Sequence, residues 1–279
     1  MINFRSIDDM SQTIKKRLHE IPDVDCVVGI PRSGMLPASM IALYLNKPVI
    51  SLDQIGQPYF NNCTNRIKLD CSKPITRCLV VDDSCSSGNS ITIIKNQLNK
   101  IVDVQFIYAA VYVLESSKGY VDFWFEVCEH LRLFEWNIMD HSVLLNSCID
   151  LDGVLCPDPT IEQNDDGANY MKFLREVKSR YIPQHEIKAI VTCRLEKYRL
   201  ETEGWLKQHG IKYEKLYMMN YPNAASRLRD GNHFKYKANI YNNTKTVLFY
   251  ESSAFQAEKI YQITGKPVYC VGNNKFYGG

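Results

Sequence analysis

Two apolar stretches of this 279-residue chain run directly into acidic loops, and the two loops differ in kind. The first reads Cys78-Leu79-Val80-Val81-Asp82-Asp83-Ser84-Cys85-Ser86-Ser87-Gly88-Asn89-Ser90. Ser84, Ser86, Ser87 and Ser90 offer hydroxyls, and Gly88 lets the backbone come close to a ligand. A helix opening after the loop turns its positive end toward a bound anion. Those features make a phosphate cradle. Asp82 and Asp83 would repel the same phosphate, so they make sense facing ribose hydroxyls or a hydrated Mg2+. The second loop reads Leu144-Leu145-Asn146-Ser147-Cys148-Ile149-Asp150-Leu151-Asp152-Gly153-Val154-Leu155. Asp150 and Asp152 stand two apart at the end of an apolar run, so on a strand both project toward one pocket. A carboxylate there can attack phosphorus once a cation neutralises the repulsion between the two anions. A second carboxyl can protonate the leaving alkoxide and later activate water. Asp-x-Asp-Gly also opens a Ca2+ loop, but no Glu follows at the twelve-residue spacing such a loop needs.

Further segments stand in support of each loop. Gly29-Ile30-Pro31-Arg32-Ser33-Gly34 also follows an apolar run and precedes a helical pattern, and Arg32 there suits a second phosphate group. Beyond Asp152, Ile190-Val191-Thr192 ends a strand-like run with a hydroxyl, and Leu248-Phe249-Tyr250-Glu251 ends another with a carboxylate. Lys235 and Lys237 stand near a predicted helix start. None of the six histidines sits in a recognisable motif.

The elements that must hold these residues alternate. Strands are predicted at 24–30, 49–52, 79–81 and 104–114, with helices at 9–20, 36–45 and 90–99. Residues 54–65, rich in Gly, Pro and Asn, read as loop. The pattern breaks over 122–140, where aromatics cluster at Phe123, Trp124, Phe125, Phe134 and Trp136, and the domain joint is expected there. A second alternation follows: strands at 143–149, 187–191, 215–219, 247–250 and 268–271, and helices at 169–178, 196–209, from about 237, and at 255–264. Strand–helix alternation of this kind predicts mostly parallel sheets covered on both faces. The expected fold is α/β, two tandem open, mostly parallel sheets flanked by helices, with domains at 1–138 and 139–279.

Composition narrows the function classes. A hydrophobic share of 45% with 23% charged residues suits an ordinary soluble globular protein. With 33 basic and 31 acidic residues the net charge is +2, which gives no bulk electrostatic case for nucleic acid. No apolar run reaches membrane-spanning length and the N-terminus lacks a signal-peptide core. Ten cysteines form no Cys-x-x-Cys pair, and several sit inside apolar runs, so free buried thiols in a reducing cytoplasm are expected.

Residues 29–34 and 78–90 together resemble the type I phosphoribosyltransferases, over roughly residues 1–135. The 78–90 stretch looks like that family's signature for 5-phosphoribosyl-1-diphosphate, with serines where threonines are common. The resemblance implies Mg2+-dependent displacement of pyrophosphate from C1 of the ribose. It assigns the ribose hydroxyls to Asp82 and Asp83, the 5-phosphate to Ser84, Ser86, Ser87, Gly88 and Ser90, and the diphosphate to Arg32 and Ser33. It also implies a flexible closing loop, for which 54–68, with Arg66 and Lys68, is the candidate. The segment before Val24 is short, leaving little material for the hood that usually recognises a nucleobase.

Residues 141–279 resemble the haloacid dehalogenase-like hydrolases, so the pair is phosphoribosyltransferase-like, then a haloacid dehalogenase-like Rossmannoid. That resemblance makes Asp150 the nucleophile, Asp152 the acid/base, Thr192 a phosphate ligand and Lys237 the charge-stabilising lysine, with Lys235 the fallback. Asp150, Asp152 and Glu251 would bind Mg2+. Ser252 and Ser253 follow Glu251 where the family often has another acid. About forty residues separate Asp150 from Thr192, and about as many again reach Lys237, which leaves no room for a separate cap domain.

Taken together, the expectation is phosphoribosyl transfer to a glycan or lipid-linked sugar, followed by removal of the 5-phosphate. Such a protein would be cytoplasmic, reaching the inner face of the membrane through its acceptor, and a homodimer is compatible with it. Two other readings stand beside this one: a nucleobase-type phosphoribosyltransferase with a nucleotide phosphatase attached, and a non-catalytic sensor of the donor.

Overall fold

In the computed structural model, residues 2–52 and 75–278 are described; the candidate closing loop 54–68, with Arg66 and Lys68, lies outside them. The chain divides into two compact units, Arg5–Arg132, and Leu133–Gly279 together with Met1–Phe4. The joint expected at 138/139 falls inside the second unit, at the helical turn Ile138–Asp140.

The chain opens with β1 (Asn3–Arg5), α1 (Ile7–Arg17), β2 (Cys26–Gly29), α2 (Met35–Leu45) and β3 (Val49–Ile50). It continues through β4 (Arg77–Cys85), α3 (Asn89–Leu98), β5 (Gln105–Val113), β6 (Phe123–Val127) and β7 (Arg132–Phe134). β1 and β7 pair with each other as a two-stranded sheet. The first unit's main sheet has the order β3-β2-β4-β5-β6, with all neighbours parallel. β4 and β5 read as nearly unbroken apolar runs because both their faces are covered, as parallel strands require. Cys26, Val28, Cys78, Val80 and Ala110 on one face pack against Ile91, Ile94 and Leu98 of α3. The chain leaves β2 toward β3 on one side, then returns to build β4, β5 and β6 on the other. In open α/β sheets such a reversal opens a crevice at the carboxyl ends of the strands.

Two sequence expectations are refined here. The aromatics Phe123, Trp124 and Phe125, in the 122–140 stretch within which the units divide at 132/133, form the edge strand β6, beside β5, in the first unit's sheet. β4 does not stop at Val81 but runs on through Asp82 and Asp83 to Cys85, paired with β5 at Asp82–Ala110 and Ser84–Tyr112.

The second unit continues with β8 (Ser147–Ile149), α4 (Ala168–Glu176), β9 (Ile187–Leu195), α5 (Arg199–Gln208), β10 (Tyr213–Met219) and α6 (Ala224–Asp230). α7 (His233–Asn243), β11 (Leu248–Glu251), α8 (Ala254–Thr264), β12 (Val268–Cys270) and β13 (Lys275–Tyr277) complete it. Its sheet has the order β10-β9-β8-β11-β12-β13, parallel except for the antiparallel edge strand β13. Here the reversal lies between β8 and β11. Residues 143–146, expected as strand, form a helical turn whose first N–H is capped by His141 Nδ1 at 3.0 Å. The gaps after Asp152 and Thr192 hold α4, α5 and α6 with β9 and β10, and no second sheet among the described residues.

The structure is therefore α/β, two open and mostly parallel sheets flanked by helices. The eight described cysteines are all free, and seven are buried.

Candidate functional site

In the first unit, Gly29 of β2 pairs with Val81 of β4, so the loops leaving these strands start side by side. Gly34 makes their approach possible. A side-chain carbon there would stand 2.6 Å from the carbonyl oxygens of Ile30 and Val81 and 3.0 Å from Cα of Asp82. Ser33 Oγ then donates to Asp83 Oδ1 at 2.9 Å, and the Asp83 N–H donates to Asp82 Oδ1 at 2.9 Å. Asp82 and residues 84–91 line a cavity of about 130 Å³. That is roughly four times the ~30 Å³ share of one liquid water, room for a phosphate-sized anion. Gly88, at φ +72°, opens α3 with no side-chain cap, and the place of its missing Cβ is filled by the Tyr120 ring. Arg32 is exposed on the neighbouring loop and does not line this cavity.

Asp82 and Asp83 are both buried. Burial first, then the charge of Asp83, pushes the Asp82 carboxyl up to about 8. Two braces escaped the sequence: Ser117 Oγ donates to Ser86 O at 2.6 Å, and buried Arg132 donates to Cys85 O at 3.3 Å. Both come from segments after β5 that carry no motif.

In the second unit, Asp150 follows β8 and Glu251 ends β11, on the two sides of the sheet's reversal. Lys237, in the second turn of α7, reaches both: its Nζ is 2.7 Å from Asp150 Oδ2 and 2.7 Å from Glu251 Oε2. All three groups are buried. Lys235 is exposed, so of the two candidate lysines it is Lys237 that meets the carboxylates. Glu251 Oε1 accepts the N–H groups of Ser252 and Ser253, each at 3.0 Å. Glu251, expected as a metal ligand, thus gives both oxygens to protein donors, as Asp150 and Asp152 also do, but unlike them it does not line the cavity. Burial raises the Asp150 carboxyl to about 7, with Lys237 opposing the shift and Glu251 adding to it.

Asp152 is held from the other side. Buried Arg194 takes both its oxygens, with Nη2 at 2.6 Å from Oδ1 and Nε at 3.0 Å from Oδ2. Thr192 and Arg194 lie two apart on β9, hence on one face, and the Arg194 N–H donates to Thr192 Oγ1 at 3.2 Å. Gly153 turns the chain at φ +77°, where a side chain would collide with Ser252 Oγ and Asp158 Oδ2. Asp150, Asp152, Thr192 and Lys237 all line one cavity of about 570 Å³, together with Asp158, Arg180, Arg227, His233 and Gln256. The sequence reading missed the last five. Only the one-turn spacing of His233 and Lys237 signalled that a further group would share the lysine's face.

Among the described residues no group of three or more His, Cys, Asp or Glu side chains is arranged to hold a metal ion. The donor chemistry nevertheless suits a hard divalent cation, because three carboxyls, Asp150, Asp152 and Asp158, line one cavity. Burial first, then the charges of Asp152 and Glu251, raises the Asp158 carboxyl, with Lys237 and Arg180 opposing the shift.

No family model matches the chain, and no curated protein matches it. Among solved structures it is similar to a Helicobacter pylori xanthine-guanine-hypoxanthine phosphoribosyltransferase, at 21% identity over 50% of this chain and 95% of that one, with a TM-score of 0.38. It is also similar to a purine phosphoribosyltransferase from Pyrococcus horikoshii, at 17% identity over 48% and 93% of the two chains, TM-score 0.35. A hypothetical protein from Neisseria gonorrhoeae with bound ppGpp gives 16% identity over 49% and 89%, TM-score 0.39.

Two expectations follow from these geometries. Lys237→Met strands two buried carboxylates, so it should lower stability by roughly 3–5 kcal/mol, read from the urea midpoint; a loss below about 1 kcal/mol would refute the bridge. The second concerns Asp82, which when folded keeps its proton between its ordinary value near 4 and about 8. Wild-type stability therefore declines as pH rises through that window, and Asp82→Asn, with no proton to lose, gains on it. Melting temperatures without divalent cations at about pH 5 and about pH 8.5 should show the variant's advantage growing with pH. A constant gap would contradict the shift.

Proposed function

We propose that the first unit transfers the 5-phosphoribosyl group of 5-phosphoribosyl-1-diphosphate to an acceptor, a glycan or lipid-linked sugar. The second unit then removes the 5-phosphate and leaves a ribofuranosyl product. The observation that carries this reading is that Asp150, Asp152, Thr192 and Lys237, far apart in sequence, converge on one polar cavity. In the same chain a serine-rich loop beside two buried aspartates encloses a phosphate-sized space. A sugar phosphate suits both.

In the transfer step, Asp82 and Asp83 hold the ribose hydroxyls, the loop 84–90 holds the 5-phosphate, and Arg32 and Ser33 meet the diphosphate. Ser33 already donates to Asp83, which ties the diphosphate loop to the ribose loop. In the hydrolytic step, an Asp150 oxygen attacks phosphorus and the bond from phosphorus to the sugar oxygen breaks. Asp152 gives the departing oxygen its proton and then takes one from the water that cleaves the acyl phosphate. Lys237 balances charge at the attacking carboxylate, Thr192 holds a phosphate oxygen, and Arg194 fixes the orientation of Asp152. Asp150 and Asp152 would hold Mg2+, which when bound offsets the repulsion between carboxylate and phosphate. An acceptor on a lipid would bring the protein to a membrane surface; no helix among the described residues is long and apolar enough to cross one.

Asp150→Asn should retain transfer and lose hydrolysis. Incubated with donor, Mg2+ and glycan acceptors, it should accumulate a ribosyl-phosphate adduct by mass spectrometry, where wild type gives the ribosyl adduct. No adduct with any glycan acceptor would refute the transfer reading. Mg2+ with donor should also raise the melting temperature, by a few degrees at saturating ligand, and an unmoved transition would count against a ligand-competent first site.

A further inference from the structure

Among the described residues, three buried side-chain polar atoms without a hydrogen-bond partner, Arg227 Nε, His233 Nε2 and Gln256 Oε1, belong to residues lining the cavity of Asp150. Orphaned buried polar atoms are uncommon in folded proteins, because each forfeits the hydrogen bonds it had in water. Three around one cavity call for a ligand that supplies what they lack.

Each is placed by structure that leaves the orphaned atom over. Arg227, on α6, gives Nη1 to the Cys193 carbonyl at 2.7 Å, which pins its guanidinium next to Thr192. His233 is the first residue of α7, one turn before Lys237 and on the same face. Burial and the flanking Arg227 and Lys237 charges hold its imidazole below the ordinary value, so it presents one N–H and one bare nitrogen. Gln256 lies in the first turn of α8, its backbone N–H capped by Ser253 Oγ at 3.3 Å, and it forms part of the cavity wall.

The atom types restrict the ligand. Gln256 Oε1 only accepts, so it needs an O–H or N–H, which the phosphoryl group of a monoester dianion does not have. Arg227 Nε only donates and needs an oxygen lone pair, while His233 Nε2 serves in either sense. A phosphate ester whose leaving group bears hydroxyls meets all three. A phosphate ester of a hydroxyl-free alcohol leaves Gln256 unmet.

We infer that Arg227, His233 and Gln256 read the hydroxyls of the sugar that carries the phosphate, making this cavity selective for phosphorylated polyols over simple phosphate esters. The inference rests on the phosphatase reading of Asp150 and names the side chains that select its substrate.

The test compares ribose 5-phosphate with p-nitrophenyl phosphate, whose leaving group has no other hydroxyl, on wild type, Gln256→Ala and His233→Ala. The ratio of kcat/KM for the sugar over the aryl ester should fall roughly tenfold in each variant, the effect of a lost buried hydrogen bond. Because each ratio is internal to one protein, partial unfolding, which lowers both rates alike, does not imitate that fall. A ratio within twofold of wild type in both variants overturns the inference. Calorimetric binding of ribose 5-phosphate and phenyl phosphate separates this from failure of the phosphatase reading. Selective sugar binding that the variants lose, without hydrolysis of either ester, supports the recognition wall and removes the phosphatase. Equal losses for both ligands remove the wall.

Discussion

A single buried ammonium makes the second unit's pairing of buried carboxylates feasible. Asp150 and Glu251 end neighbouring strands on either side of the sheet's reversal, where strand geometry brings their side chains to one place. Two carboxylates removed from water at that spot would repel each other and pay the full desolvation cost. Lys237 stands between them and gives each a hydrogen bond of 2.7 Å. Burial alone would strip the lysine of its proton, but the two carboxylates outweigh that effect and hold its value well above normal. Apolar residues of the same volume would serve stability as well or better. Stability alone therefore does not account for the trio, in which Asp150 and Glu251 share one lysine.

The first unit meets a comparable problem without a cation between the acids. Asp82 and Asp83 are adjacent and buried at the end of β4, and a hydrogen-bond chain from Ser33 through Asp83 to Asp82 orders them. The residual repulsion is relieved by a proton on Asp82, whose carboxyl reaches about 8. A ligand that donates hydroxyls to Asp82, or a cation nearby, would take over that role. The two acidic strand ends are thus prepared for different partners: one compensated by a built-in positive charge, the other left to be completed by what binds.

Much of this was legible in the sequence because strand-end chemistry is local. An apolar run followed by Asp-Asp-Ser or Asp-x-Asp-Gly states both the strand and the place where it ends, so Asp82, Asp83, Asp150 and Asp152 could be placed from their neighbours alone. Lys237 was legible only as one of two lysines near a helix start, and burial separates them: Lys237 is 1% exposed and Lys235 lies on the exposed face. Boundaries were less legible. Asp82 and Asp83 were read as loop residues, yet pairing with β5 extends β4 through them. Within the 122–140 stretch expected to break the pattern, the strand at 123–127 is not legible because a short edge strand with intermediate burial has little periodic signal. Arg194 was missed although it sits two residues from Thr192, since its role depends on Asp152, 42 positions away. Asp158, Arg227, His233 and Gln256 come from a loop, the short helix α6 and two helix starts, and only tertiary structure brings them to one cavity.

The two sheets solve the same backbone problem in the same way. In each, the chain starts near the middle, builds outward to one side, and returns to build the other, leaving a crevice at the reversal. What fills the crevice is set by a handful of side chains. In the first unit, glycines and serines keep the space small, and Gly34 and Gly88 occupy positions where any Cβ would strike backbone or the Tyr120 ring. In the second, Arg194, Lys237, Arg227 and His233 bring cations or potential cations around two aspartates. Architecture accounts for where ligands go and not for what happens to them. The two strand tips differ most in whether the carboxylate there has a buried lysine beside it, as Asp150 has and, among the described residues, Asp82 has not.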